Sequence, residues 1–224
     1  MLKQFRFAPA AVVALLLTLS TAPLHGQADA APTPLGRFLT HIDVGLNGTG
    51  VFTHQTTGTV TTGATKGTTL TQNTSNTFGG LFTLRATKSP YVGLEGNVGY
   101  ARFTESYSCC NLQGGAQSNA YEYTLGYLIH PPHEIFGAKP YAAVGAGTVA
   151  FRPTVNGGQS LSTQARAVYY YHVGADIPAY SDFFSIRLGF RQLFYLAPDF
   201  GQNYLTTKQR TVTSEPVIGF VFHF

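Results

Sequence analysis

Seven histidines, two adjacent cysteines and a thin scatter of charge are what this chain offers to chemistry. His130-Pro131-Pro132-His133 has the look of a metal pair. Its two prolines fix an extended turn, however, and no cysteine or aspartate cluster lies near it in sequence, so the spacing does not make a metal site. His172 and Asp176 share a strand face, but four residues of extended chain hold them ~13 Å apart, too far for direct contact. There is no Gly-x-Ser-x-Gly elbow, and Gly145-Ala146-Gly147 lacks the rest of a dinucleotide fingerprint. The residues therefore point to no enzyme, no cofactor and no metal. Cys109-Cys110 is the one unusual chemical feature. We read it as a vicinal disulfide that stiffens a loop; pairing with another chain, or two thiols without a role, are the alternatives.

The charged residues inside extended segments are Asp43, Arg85, Glu95, Glu122, Asp176, Arg187, Arg191 and Glu215. Each shares its side of the chain with glycines, while the opposite side is apolar and aromatic. Charge on one face and hydrocarbon on the other is the mark of a strand between two different solvents. Buried unpaired charge is costly, so these five acids and three arginines are expected to pair across an interior. Arg85 falls on the strand between those of Asp43 and Glu95, and Arg187 on the strand between those of Asp176 and Glu215. The expected result is a plugged, salt-bridged interior; the other reading is a narrow gated pore lined by the same residues.

Composition fits strands that avoid water. The chain is 44% hydrophobic and 11% charged, against about 25% charge in ordinary soluble domains. Beyond the first thirty residues no apolar run reaches the ~20 residues that a membrane helix needs. A chain that avoids both water and helices must satisfy its backbone in a closed sheet. The net charge is +4, of which Lys3 and Arg6 belong to a leader, so nothing argues for a nucleic-acid partner. Residues 1–28 read as a secretory signal, with an apolar core at Ala10–Leu19 too short to span. Residues 29–38 read as a lead-in and 39–224 as one all-β domain.

Eight strands are expected, at about 41–53, 77–86, 91–103, 118–130, 140–151, 164–177, 183–195 and from about 209 to the end. Their connections alternate long and short, with polar loops at 54–76, 104–117, 152–163 and 196–208. A lipocalin-like carrier would have apolar residues inside and charge outside. Here the uncharged face is the aromatic one, and in water it would form a patch far larger than a soluble monomer tolerates.

The last strand carries Ile218, Phe220, Phe222 and Phe224 on one side, and ends on the aromatic residue. This ending resembles the C-terminal strand of bacterial outer-membrane β-barrels. Gly79–Phe103 and Ser185–Arg191 are similar to hairpin segments of the small OmpA- and OmpX-like type. The resemblance implies an eight-stranded antiparallel up-and-down transmembrane β-barrel, exported through the periplasm to the outer membrane of a Gram-negative-type bacterium. It implies a monomer in contact with outer-membrane lipid and lipopolysaccharide, inserted by the outer-membrane assembly machinery through its C-terminal strand. The family shares a shape and no single activity. The expected role is structural or surface-interacting through the outside loops. A small-solute pore and a lipid-modifying enzyme are the alternatives.

Overall fold

The computed structural model describes residues 42–109, 112–131, 133–159, 161–181 and 183–224. The expected leader and lead-in, Cys110, and thus the proposed vicinal disulfide lie outside them. Ten strands form among the described residues: β1 (Ile42–Thr53), β2 (Thr56–Thr59), β3 (Thr69–Thr74), β4 (Thr77–Ser89), β5 (Val92–Cys109), β6 (Leu112–Ile129), β7 (Lys139–Pro153), β8 (Gln164–Ser181), β9 (Phe184–Leu196) and β10 (Arg210–His223). Eight of them, β1 and β4–β10, make a closed ring in which every neighbouring pair is antiparallel. The chain is an eight-stranded, up-and-down transmembrane β-barrel. Its first and last strands close the seam by pairing Asp43 with His223 and Leu46 with Phe220. Closure leaves no strand edge inside the ring, as a sheet in hydrocarbon requires.

Alternation along each strand sorts the side chains. On β10 the residues Glu215, Val217 and Val221 are buried, while Ile218 is 62% exposed and Phe220 51%. The same split puts Leu46, Leu94, Leu125, Val144, Tyr169 and Leu188 on the outer wall. At the end of the barrel where β1 begins and β10 ends, the terminal end, Phe183 and Phe184 pack against the rings of Phe220, Phe222 and Phe224. An apolar wall with an aromatic girdle is the surface that acyl chains and the membrane interface favour.

Two expected loops are strands instead. The stretch 54–76 contains the β2–β3 hairpin, whose β3 pairs with β5 at Thr71↔Ser108 and Thr74↔Glu105. Threonine's β-branched side chain favours extended backbone, and the polar residues stand in water rather than lipid, so no apolar period betrays the strand. The stretch 104–117 is likewise the top of a continuous hairpin, paired from Thr104↔Gln117 to Cys109↔Leu112. There Thr104, Ser106 and Ser108 face out while Glu105 and Tyr107 face in. The alternation persists, but its outward members change from apolar to hydroxylic. Two of the three turns at the terminal end are short, with only Pro90 and Tyr91 between β4 and β5 and residues 182–183 between β8 and β9, whereas residues 130–138 join β6 to β7.

The distal extension has its own core. Val60 and Leu70 of the hairpin region meet Phe200 and Leu205 of the 197–209 connection, all at 1% exposure or less. Beneath them sit Phe103, Phe151 and Tyr195. Arg166 anchors the covering segment through Asp199 at 2.9 Å, and Gln164 accepts the backbone N–H groups of Asp199 and Phe200.

Two outcomes follow. Leu188 stands on the outer wall of β9 beside Ile218 of β10. Leu188→Arg is expected to cost about 2–4 kcal/mol near the bilayer midplane; an unchanged urea midpoint in lipid vesicles would contradict this register. Glu105 is buried beyond the lipid band, between Tyr107 and Tyr195, and burial raises its carboxyl to about 8 from an ordinary 4.5. Between those values the folded chain holds a proton that the unfolded chain releases, so stability is greatest at the acid end and falls as pH rises through the window. Glu105→Gln should flatten that part of a stability-versus-pH curve; an unaltered slope would contradict it.

Candidate functional site

The inward faces of the eight barrel strands bring most of the charged residues into two clusters. In the first, the Arg85 Nε and Nη2 donate to Glu95 Oε2 at 2.9 and 2.6 Å, and its Nη1 donates to Asp176 Oδ2 at 3.2 Å. Arg187 grips the same Asp176 with two parallel bonds of 2.7 and 2.8 Å. Glu95 also accepts from Asn97 at 3.0 Å and from His172 Nδ1 at 3.1 Å. A carboxylate only accepts, so the proton of His172 sits on Nδ1 and its Nε2 accepts from the Tyr141 hydroxyl at 2.8 Å. The Arg85 guanidinium lies 3.8 Å from the centre of the Tyr141 ring. One arginine thus meets a carboxylate edge and an aromatic face at once.

The second cluster lies nearer the distal end. Arg191 Nη1 donates to Glu215 at 2.8 Å, and its Nη2 donates to Glu122 in a very short bond. Thr124 supplies Glu122 with a further donor at 2.9 Å. All three arginines, Arg85, Arg187 and Arg191, are fully buried. Their bulk, and that of the tyrosines packed on them, fits because neighbouring strands carry glycine: a side chain at Gly45 would lie 3.1 Å from Arg187 Nη1. A side chain at Gly145 would lie 2.6 Å from the Tyr170 ring, and one at Gly189 would lie 2.8 Å from the Tyr141 hydroxyl. Between the second cluster and the apolar cap is a cavity of about 40 Å³, lined by Arg191, Glu122, Phe103 and Phe151 among others. That is room for a water or two.

The pairing differs in two places from what strand order alone implies. Asp43 is in register with Arg85 on the neighbouring strand. Its carboxylate instead accepts from His223 Nδ1 at 2.8 Å, while Arg85 turns to Glu95 and across the lumen to Asp176. Glu215 is held by Arg191, its cross-strand partner, and not by Arg187. Sequence gives the strand on which a charge sits. It does not give the direction in which a long guanidinium reaches.

Sequence reasoning missed one constellation entirely. The Ser185 hydroxyl donates to His223 Nε2 at 2.9 Å, so that Ser185, His223 and Asp43 form an unbroken line across β9, β10 and β1. The residue types are those of a hydrolase relay. Ser185 itself is only 2% exposed. The line serves as a clasp at the seam where the first and last strands close the ring. The signal was present in the alternation, which put all three side chains on the inward face at the terminal end. Only the register made them neighbours.

Outside this clasp is a vestibule of about 510 Å³, open at the terminal end and lined by Asp43, His130, Lys139, Asp176 and His223 among others. Among the described residues no group of three or more His, Cys, Asp or Glu side chains is placed to hold a metal ion. Cys109 Sγ lies 3.2 Å from the Thr68 hydroxyl, tying the tip of β5 to the β2–β3 connection. Of the C-terminal residues, Ile218, Phe220 and Phe222 stand on the outer wall of β10, and Phe224 donates its backbone N–H to Ile42 across the seam at 3.1 Å.

The sequence matches no protein-family model and no curated protein. Solved structures are similar in shape. The outer membrane protein OprG from Pseudomonas aeruginosa aligns over 82% of this chain and 95% of its own, at 16% identity and a TM-score of 0.55. Neisserial surface protein A aligns over 82% of this chain and 97% of its own, at 11% identity and a TM-score of 0.52. The chain has the fold of the small eight-stranded outer-membrane β-barrels, the OmpA- and OmpX-like type.

Proposed function

We propose that the chain is a non-enzymatic, monomeric barrel of the bacterial outer membrane, sealed by its own side chains, whose distal end is an external interaction surface. The observation that carries this reading is the filled cross-section. Arg85, Arg187, Arg191, His172 and Phe151 are all at 1% exposure or less, in successive layers from the terminal to the distal end. An eight-stranded barrel is just wide enough for its side chains to occupy it. Above the ion pairs, Phe103, Phe151, Phe200 and Leu205 close the section further, all at 5% exposure or less.

The terminal end is assigned to the periplasm. An even strand count returns both ends of the barrel to the side from which a secreted chain enters, and the long hairpin extensions and the 197–209 connection lie at the other end, outside. The leader at 1–28 supplies export. Outer-membrane lipid and lipopolysaccharide surround the wall, and the β10 face carrying Ile218, Phe220 and Phe222, with the terminal Phe224, is what the assembly machinery would read. A small-solute pore is the second reading. It is favoured by the terminal vestibule, which reaches inward as far as Asp176 of the first ion-pair cluster.

Planar-bilayer recording of the refolded barrel separates the two: steady open conductance would overturn the sealed reading, and silence is the expected result. Stability tests the seal a second way. Arg191→Met leaves Glu122 and Glu215 buried without their cation, and about 3–5 kcal/mol of stability should be lost. Neutralising all three residues together should restore most of it. If the single change left the unfolding midpoint where it was, the pairing would not be holding the interior.

A further inference from the structure

Among strand residues whose side chains are described, the outward positions of the barrel carry three charges: Arg102, Arg152 and Arg210. All are arginines, all are exposed, and all lie toward the distal end. None of the three is in an ion pair with an acid among the described residues.

Two of them belong to one row. Arg102 of β5 is in register with Asn119 of β6, which is in register with Arg152 of β7. Three neighbouring strands therefore hold arginine, asparagine and arginine side by side, with the outer two ~10 Å apart. The next row toward the terminal end is Tyr100, Tyr121 and Ala150, with the two tyrosine rings 5.3 Å apart. Below that, the outward face of β5 continues to Val98 and Leu94. Above it, the same face turns to Thr104, Ser106 and Ser108. The row thus sits where an apolar wall ends, one step past an aromatic pair, at the depth of lipid headgroups.

The side chains are set for an anion. Arg102 spends one N–H on Gln117 Oε1 at 2.7 Å, which holds the guanidinium up along the wall. The Tyr100 hydroxyl donates to Asn119 Oδ1 at 3.1 Å, which turns the asparagine amide into the row. A guanidinium has five donors in a planar fork that matches phosphate oxygens two at a time.

We infer that Arg102, Asn119 and Arg152 form a clamp for the phosphorylated headgroup of an outer-leaflet lipid, whose acyl chains lie on the apolar wall below. This rests on the membrane placement proposed above. A soluble phosphate would gain nothing from the tyrosine pair or the wall, whereas a phospholipid or glycolipid phosphate is delivered to this depth by its own tails.

The test uses the refolded barrel in neutral-detergent micelles, with native mass spectrometry counting bound lipid. The probes are bisphosphorylated lipid A and the same lipid after enzymatic dephosphorylation. The wild type should retain the phosphorylated form over the dephosphorylated one. Retention should fall by about fivefold for each arginine removed in Arg102→Gln and Arg152→Gln. Arg210→Gln, on β10 across the barrel from the row, should have the smaller effect. Excess inorganic phosphate should not displace the lipid. Equal retention of the two lipids by the wild type would overturn the clamp without any variant. So would undiminished retention in an Arg102→Gln/Arg152→Gln barrel with wild-type heat-shifted gel mobility, and displacement by inorganic phosphate would overturn the lipid assignment. Insertion itself is read separately, as heat-shifted mobility in pure phosphatidylcholine, where the clamp has no ligand. A chain that failed there would sink the membrane reading rather than the clamp.

Discussion

In hydrocarbon a peptide N–H or C=O finds no water, and each one left open costs several kcal/mol. A β-strand can cross such a medium only if both of its edges are paired, which forces the sheet to close. Every barrel strand here meets that demand, down to the β1–β10 seam and the β5–β6 hairpin, which pairs residue by residue from Val92↔Ile129 to Cys109↔Leu112. The other features are consequences. A closed ring of eight strands has an interior too narrow for bulk water and an exterior that touches lipid, so each strand must alternate between a filled inside and an apolar outside.

The interior could have been filled with hydrocarbon, and toward the distal end Phe103, Phe151, Phe200 and Leu205 do fill much of it. In the membrane-spanning part it is filled with ion pairs. Such pairs return little net stability against well-packed apolar residues. They do constrain geometry strongly. Arg85 reaches a neighbour on β5 and a carboxylate on β8, so it ties together walls that are not adjacent in the sheet. Arg191 does the same between β6 and β10. A barrel whose wall is only hydrogen-bonded to itself can flatten. One crossed by guanidinium bridges at two levels, with Tyr141 and Tyr170 against glycine gaps, has a fixed section.

How much of this is legible in the sequence depends on the solvent beyond each strand. Where the outside is lipid, the alternation of Ile218, Phe220 and Phe222 against Glu215, Val217 and Val221 is plain, and strand, face and register parity all follow from it. Where the outside is water, as from Thr104 to Gln117 and from Thr56 to Thr74, the outward face carries small polar residues in place of apolar ones. The strands continue there without a contrast to reveal them. The inward charges were readable as a set, because each stood among glycines. Strand order brings Arg85 beside Glu95 and Arg187 beside Asp176, but it does not bring Arg85 to Asp176 or Arg191 to Glu122, which meet across the lumen through the curvature of the barrel. The Asp43–His223–Ser185 clasp was hidden for the related reason that it is made by the ring's closure, joining residues at opposite ends of the chain.

The uncharged, ring-rich outer face of the barrel strands is placed against acyl chains. Spin labels placed singly at Leu46, Leu94, Leu125, Val144, Leu188 and Ile218, in a chain with Cys109 and Cys110 replaced by serine, test it around the full circumference. After reconstitution in lipid, all six are expected to relax strongly with oxygen, which concentrates in the bilayer, and weakly with a water-soluble nickel chelate. Ready access of the nickel reagent to these sites would place that face in water and contradict the account.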